Sequence, residues 1–191
     1  MNWSEQTIGR ALARQTFNRK YLVVVPNCIW TGHECDVLAV TENLRLIDVE
    51  IKISRADLKA DAAKAKWWHQ RYVGAPRRVE EHDERGRPIR RRNIYAREFE
   101  LRTWPPKVWK HYYAMPADIW SDDLLGSLGS PASGVLLLAD AGGELRIRVR
   151  RPAKPCRGAE PISPAAAVDI ARLASLRMWD AYERLEQGEA A

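Results

Sequence analysis

Apolar positions along the chain recur in two periods, one suited to helices and one to strands. Ile8, Ala11 and Leu12 recur at helical spacing, which predicts a first helix over residues 2–15, capped by Asn2 or Ser4 and carrying Glu5 on its inward stripe. Tyr21-Leu-Val-Val-Val-Pro26 is a short β-branched run closed by proline and predicts a buried strand. Two further strands, 35–40 and 44–53, flank Glu42-Asn43 and predict a hairpin. Ser54 and Asp57 form a capping box that opens a helix through about Tyr72, ended by Pro76. Residues 111–116, 134–139 and 145–149 predict three more strands, with a turn at Ala141-Gly142-Gly143 between the last two. Ser163-Pro164 then opens a last helix to about Gln187, with Val168, Ala171, Met178 and Leu185 among its buried candidates.

This order of helix, three strands, helix, three strands, helix predicts an α/β fold with a mixed central sheet flanked by helices. At 191 residues and 46% apolar content one core is expected. The single domain would comprise a core over 1–76 and 108–154, a C-terminal helix over 163–187, and an insertion over 77–107 in which 94–101 reads as a strand. Charge singles out that insertion. The chain has a net charge of +6, yet residues 77–110 hold eleven basic against six acidic side chains and residues 143–157 hold six against one. The remainder is net negative, the asymmetry of a protein that turns one basic surface toward a polyanion. No apolar run approaches the ~18 residues of a membrane span. Residues 1–6 lack the layout of a secretory signal, and the cysteines Cys28, Cys35 and Cys156 are too few for a disulfide framework. A cytoplasmic protein with no membrane partner is expected.

Candidate chemistry lies on the third strand. Ile47, Val49, Ile51 and Ile53 make one apolar face, while Asp48, Glu50 and Lys52 make the other. Three ionisable groups in a row suit a water-facing strand or a site in which they are paired or bind an ion, because unpaired buried charge costs several kcal/mol. Asp36, on the neighbouring strand, favours the second reading. Two carboxylates on adjacent strands make a hard oxygen site for Mg²⁺, and a lysine beside them can orient water or stabilise transition-state charge.

At these residues the sequence resembles the PD-(D/E)XK nuclease superfamily, whose motif is an acid on one strand followed by Glu-x-Lys on the next; here it reads Asp36 and Glu50-Ile51-Lys52. The continuation Ser54-Arg55-Ala-Asp57-Leu-Lys-Ala-Asp61 is similar to a phage and bacterial DNA-repair branch, and residues 111–116 and 134–138 resemble that branch's closing strands. The likeness covers most of residues 1–154, and the proline that often precedes the first acid is replaced by Cys35. It implies a restriction-endonuclease-like fold and a DNA phosphodiesterase acting in repair, recombination or phage DNA metabolism. Asp36, Glu50 and the Ile51 carbonyl would bind Mg²⁺, with Mn²⁺ able to substitute. Lys52 would act on the water or the transition state, Arg55 would touch phosphate, and Glu5 would be an additional acid.

Several residues receive plainer readings. Asp57-Leu58-Lys59 repeats the acid-x-Lys pattern on a helix, where its side chains diverge. Cys28, His33 and Cys35 lack a fourth zinc ligand, and the cysteines read as small buried thiols. Trp67, Trp68, Trp104 and Trp109 read as packing residues ahead of base-stacking platforms. Arg90, Arg91 and Arg92 are expected to bind DNA, with homodimerisation left open. An inactive DNA-binding module of the same fold is the alternative to an enzyme. The metal reading carries a geometric condition: Asp36 must lie opposite Glu50. A two-residue turn sets it opposite Val49, whereas a three-residue loop Glu42-Asn43-Leu44, or a bulge, restores the match.

Overall fold

The computed structural model describes residues 3–17, 20–142 and 144–188; Asn2 and Gly143, named above as cap and turn residues, lie outside them. Ser4 Oγ accepts the Thr7 amide at 3.1 Å and starts α1 (Glu5–Ala11), which passes into a π-helical turn at Leu12–Thr16. Strands β1 (Tyr21–Cys28), β2 (Cys35–Thr41) and β3 (Leu46–Ile51) follow. Ser54 caps α2 (Arg55–Asp61) through the Asp57 amide, so the capping box forms as expected.

The helix expected to reach Tyr72 stops at Asp61. A 3₁₀ turn at Ala65–Trp67 buries Trp67, and from Trp68 the backbone pairs with a distant strand. Strands β4 (Trp68–His82) and β5 (Pro88–Leu101) make a long two-stranded ribbon, separate from the main sheet and reaching further back into the sequence than the insertion at 77–107. Gly74, at φ 74°, and Pro76 lie where β4 bulges between the pairs Val73↔Ala96 and Arg77↔Ile94, so the proline punctuates a strand and not a helix.

Strands β6 (Val108–Pro116), β7 (Gly134–Ala141) and β8 (Glu144–Arg151) return the chain to the main sheet, followed by α3 (Pro164–Glu186). The sheet order is β1-β2-β3-β6-β7-β8, with β3, β6 and β7 parallel to one another and the outer pairings antiparallel. The fold is thus α/β with a mixed six-stranded sheet. Val37, Ala39, Ile47, Val49 and Ile51 pack on one face against Ile8 and Leu12 of the first helical segment. On the other face Ile170 of α3 joins Leu38 and Val40, while Leu58 and Trp67 join Tyr113, Val135 and Leu137.

The stripe of α3 that packs is Ala167, Ile170 and Ala174, whose small residues let helix and sheet approach closely. Val168, Met178 and Leu185, expected inside, are exposed, and Ala171 is half-buried. Among the described residues no helix is long and apolar enough to cross a membrane.

Candidate functional site

The geometry of the site begins at the β2–β3 loop. The Thr41 amide donates to the Arg45 carbonyl at 2.9 Å and the Leu44 amide to the Thr41 carbonyl at 2.9 Å, so the loop has three residues, Glu42-Asn43-Leu44. Its left-handed residue is Leu44, at φ 55°, and not Asn43, because a three-residue loop places that conformation at its last position. Leu44 is held there by packing against the α3 side of the core and by the Ile162 amide, which donates to its carbonyl at 2.8 Å. The register that results pairs Val37 with Val49 and Leu38 with Asp48. One further step leads to Asp36 opposite Glu50. At that step the carboxylate itself takes over the ladder: Asp36 Oδ2 accepts the Ile51 amide at 2.7 Å. The Lys52 amide points the other way, to the Ala114 carbonyl of β6 at 2.9 Å. In an extended strand one residue's N–H and C=O point to the same side, so the Ile51 carbonyl is directed toward Asp36.

Strand β3 is buried on both faces, and its polar face is not turned to water. Asp48 and Glu50 are 1% exposed and Lys52 2%. Their charges are met by residues from α2 and the 3₁₀ turn. Lys52 Nζ lies 3.1 Å from Glu50 Oε2, 3.0 Å from Asp61 Oδ1 and 3.6 Å from Asp57 Oδ1. Lys64 Nζ bridges the same Glu50 and Asp61 oxygens at 2.9 and 3.0 Å, and Lys66 Nζ lies 2.6 Å from Glu50 Oε1. Asp61 Oδ2 also accepts the Tyr113 hydroxyl at 2.5 Å and the Trp67 indole N–H at 3.1 Å. Gly129 makes room for that indole, since a Cβ there would fall 2.2 Å from its nitrogen.

The electrostatics follow from this packing. Burial pushes Asp61 and Glu50 toward the neutral form, but the lysines outweigh it and hold both carboxyls below their ordinary range. Burial opposes the Lys52 charge, yet Asp61 and Glu50 more than offset it, so Lys52 is a firmly held ammonium. Asp36 differs: burial and the Glu50 charge push it up to about 6, against the opposing Ile51 amide and Lys52. Burial raises Asp48 to about 7, and burial together with Lys66 keeps His111 well below the usual range. His111 Nδ1 pairs with Ser133 Oγ at 2.9 Å and its Nε2 lies 3.8 Å from Asp48 Oδ2. These three are 1% exposed, and the chain of groups is part of the core.

Glu50 and Lys52 are therefore in contact, while Asp36 lies within their field and makes no ion pair among the described residues. Glu50 and Lys52 are covered by α2 and the Trp67 turn and do not line an open cleft. A groove of about 800 Å³ lies elsewhere, between the foot of the ribbon and residues 156–162. Among the described residues no group of three or more His, Cys, Asp or Glu is arranged to hold a metal ion. Glu5 is exposed and not inward, although its charge reaches Asp36. Arg55 is exposed and donates through Nε to the Ile119 carbonyl at 2.8 Å. Arg91 and Arg92 pair across the ribbon with Glu80 and Glu81 at 2.9 and 3.0 Å, whereas Arg90 makes no ion pair among the described residues. Cys28 and Cys35 are buried free thiols. Trp67 is a packing residue, but Trp68 is 40% exposed on the ribbon.

No family model and no curated protein matches the chain. Among solved structures, a protein of unknown function from Silicibacter pomeroyi is similar over 100% of this chain and 97% of its own, with a TM-score of 0.52 and 16% sequence identity. That likeness bears on the fold alone.

Proposed function

We propose that this protein is a metal-dependent nuclease that hydrolyses DNA phosphodiester bonds on a restriction-endonuclease-like fold of the PD-(D/E)XK type. The observation that carries the proposal is the three-residue β2–β3 loop, whose register brings Asp36 alongside Glu50, Ile51 and Lys52. A site for Mg²⁺ would consist of Asp36, Glu50 and the Ile51 carbonyl, which have the donor chemistry the ion takes, although Glu50 is held by Lys52, Lys64 and Lys66 in this structure. All are hard oxygen donors, and Asp36 retains its proton to about 6 because burial and Glu50 leave it short of positive charge. A bound Mg²⁺, or Mn²⁺ in its place, supplies Lewis-acid polarisation of the phosphodiester and a water of lowered pKa.

The chain's own groups divide the remaining work. Lys52, kept protonated by Asp61 and Glu50, is a donor of hydrogen bonds and positive charge to the transition state and not a proton acceptor. Asp61, fixed by Tyr113 and Trp67, holds Lys52 in position from behind. Lys66 is buried, but Lys64 has a side chain 47% exposed, so it is the ammonium able to leave Glu50 Oε2 for a DNA phosphate. DNA would approach over the basic ribbon and the β8 segment, where phosphate contacts supply affinity.

A second reading is favoured by one observation: both Glu50 oxygens are already met by ammonium groups. On that reading the chain is a DNA-binding module whose site is a structural ion cluster. Incubating the purified chain with labelled duplex, branched and single-stranded DNA, with Mg²⁺ or Mn²⁺ and with chelator, separates the two. The nuclease cleaves at least one substrate only with metal, and the binding module cleaves none.

A further inference from the structure

The β4–β5 ribbon has two unlike faces. The register Trp68↔Leu101, Gln70↔Phe99 and Tyr72↔Arg97, with alternation along each strand, places Trp68, Tyr72, Tyr95, Phe99 and Leu101 on one face together with Arg97. Those five apolar side chains are 40–60% exposed. Tyr72 and Tyr95 meet edge to face at 5.7 Å and the Arg97 guanidinium lies 5.9 Å from the Tyr72 ring, so the rings are ordered with a cation among them. The opposite face carries Arg71–Glu100 and Arg92–Glu81 ion pairs and reads as an ordinary solvated surface.

A two-stranded ribbon is marginal alone in water, and an aromatic face of this size marks a contact surface. Charge identifies the occupant. Further along the aromatic face lie Arg78 and Arg91 against Glu80 alone, so with Arg97 there are three arginines to one acid. Arg78 and Arg97 make no ion pair among the described residues. Two copies of this face packed on each other would bring arginine against arginine, whereas a polyanion with exposed rings of its own satisfies both the charge and the aromatic groups. The face also begins at the site: Trp68 is two residues from Lys66, which holds Glu50, and the Arg102 amide closes the ribbon foot by donating to the Trp67 carbonyl at 2.7 Å.

We propose that the aromatic and arginine face of the β4–β5 ribbon binds a single-stranded DNA segment by stacking its unpaired bases on Trp68, Tyr72 and Phe99, while Arg78 and Arg97 take its phosphates. The proposal rests on the nuclease reading for its biological sense and specifies the substrate as DNA with an unpaired strand. Base stacking on such rings is sequence-tolerant, so the preference is for strand state and not for sequence.

The test uses the full chain in chelator, where nothing is cut, and a 2-aminopurine-labelled oligonucleotide offered single-stranded and as a blunt duplex. The probe's emission is expected to change on binding to the single strand. The double substitution Tyr72→Ala with Phe99→Ala, at side chains already exposed, is expected to weaken single-strand binding about tenfold or more and blunt-duplex binding by less than about threefold. Equal losses on both DNAs, or no loss on either, overturn the proposal. So does sedimentation showing a dimer that the double variant dissociates with DNA affinity unchanged, because the face then belongs to a second copy. Failure of the wild-type chain to cleave DNA with metal would overturn the nuclease reading and leave this binding result standing.

Discussion

Glu50-Ile51-Lys52 and Asp57-Leu58-Lys59 are the same pattern of acid, leucine or isoleucine, and lysine, placed a few residues apart in the same chain. At the end of β3 the outer two side chains, Glu50 and the residue just past the strand, Lys52, share a face and meet at 3.1 Å, buried under α2. On α2 residues i and i+2 diverge, so Lys59 is exposed and Asp57 turns back to join Lys52 at 3.6 Å. Backbone period thus decides which copy can act as a unit, and burial decides how strongly its charges depend on their partners. The second copy is the internal control for the first.

The largest contrast is expected in cleavage. Asp36→Asn, Glu50→Gln and Lys52→Met should each lower the rate of metal-dependent DNA cleavage by roughly 10³-fold or more, since each removes a metal ligand or the transition-state cation. Lys59→Ala should leave it within about threefold. A gel assay on one labelled substrate measures all four, and cleavage by the first three at the wild-type rate breaks the assignment.

Stability should separate the copies next. Lys52→Met leaves Glu50 and Asp61 with one cation fewer in a buried cluster, at a cost of about 3–5 kcal/mol, whereas Lys59→Ala stays within about 0.5 kcal/mol. Urea denaturation of the metal-free chain reads both. Asp36→Asn should act in the opposite direction. Its folded pKa of about 6 lies above the ordinary 3.8, so its charge costs stability above pH 6, the cost shrinks as pH falls toward 4, and it is absent below that. The asparagine can still accept the Ile51 amide, and at pH 7 it should stabilise the metal-free chain by about 1–2 kcal/mol after allowance for solvent screening. Thermal melts at pH 7 and pH 4 test this, with a gain expected only at pH 7.

Much of this was legible in the sequence. The period-2 run on β3 marks its two faces, and counting residues through the hairpin leaves a three-residue loop or a bulge as the ways to bring Asp36 beside Glu50, of which the loop forms. Leu44 as the left-handed residue was not legible, because asparagine beside it has the better local preference and packing overrode that preference. Nor were Lys64 and Lys66, or the contact of Asp61 with Lys52. Lysines spaced along a polar helix normally face solvent, and only the fold shows that Lys66 is buried against Glu50. The helix expected through Tyr72 does not form for a related reason: pairing with β5, distant in sequence, overrides local helical preference from Trp68 onward. In α3 the larger apolar residues Val168, Met178 and Leu185 have the stronger hydrophobic signal, yet Ala167 and Ala174, whose small size lets Ile170 pack, face the sheet.

The smallest effect concerns the ribbon's arginines. Neutralising Arg90, Arg91 and Arg92 together should weaken DNA binding without regard to sequence. It should reduce the slope of log affinity against log salt by about one to two, and not by the full three, because Arg91 and Arg92 are already shared with Glu80 and Glu81. An unchanged slope would make this stretch a solvated surface.

The central claim, that the β2–β3 register builds one ion site, is tested most directly by counting Mn²⁺ bound to the chain at pH 7.5 from the loss of the free-ion electron paramagnetic resonance signal. Wild type and Lys59→Ala are predicted to bind one ion per chain, and Asp36→Asn and Glu50→Gln to bind none. Equal binding by all four proteins, or none by wild type, would contradict the account.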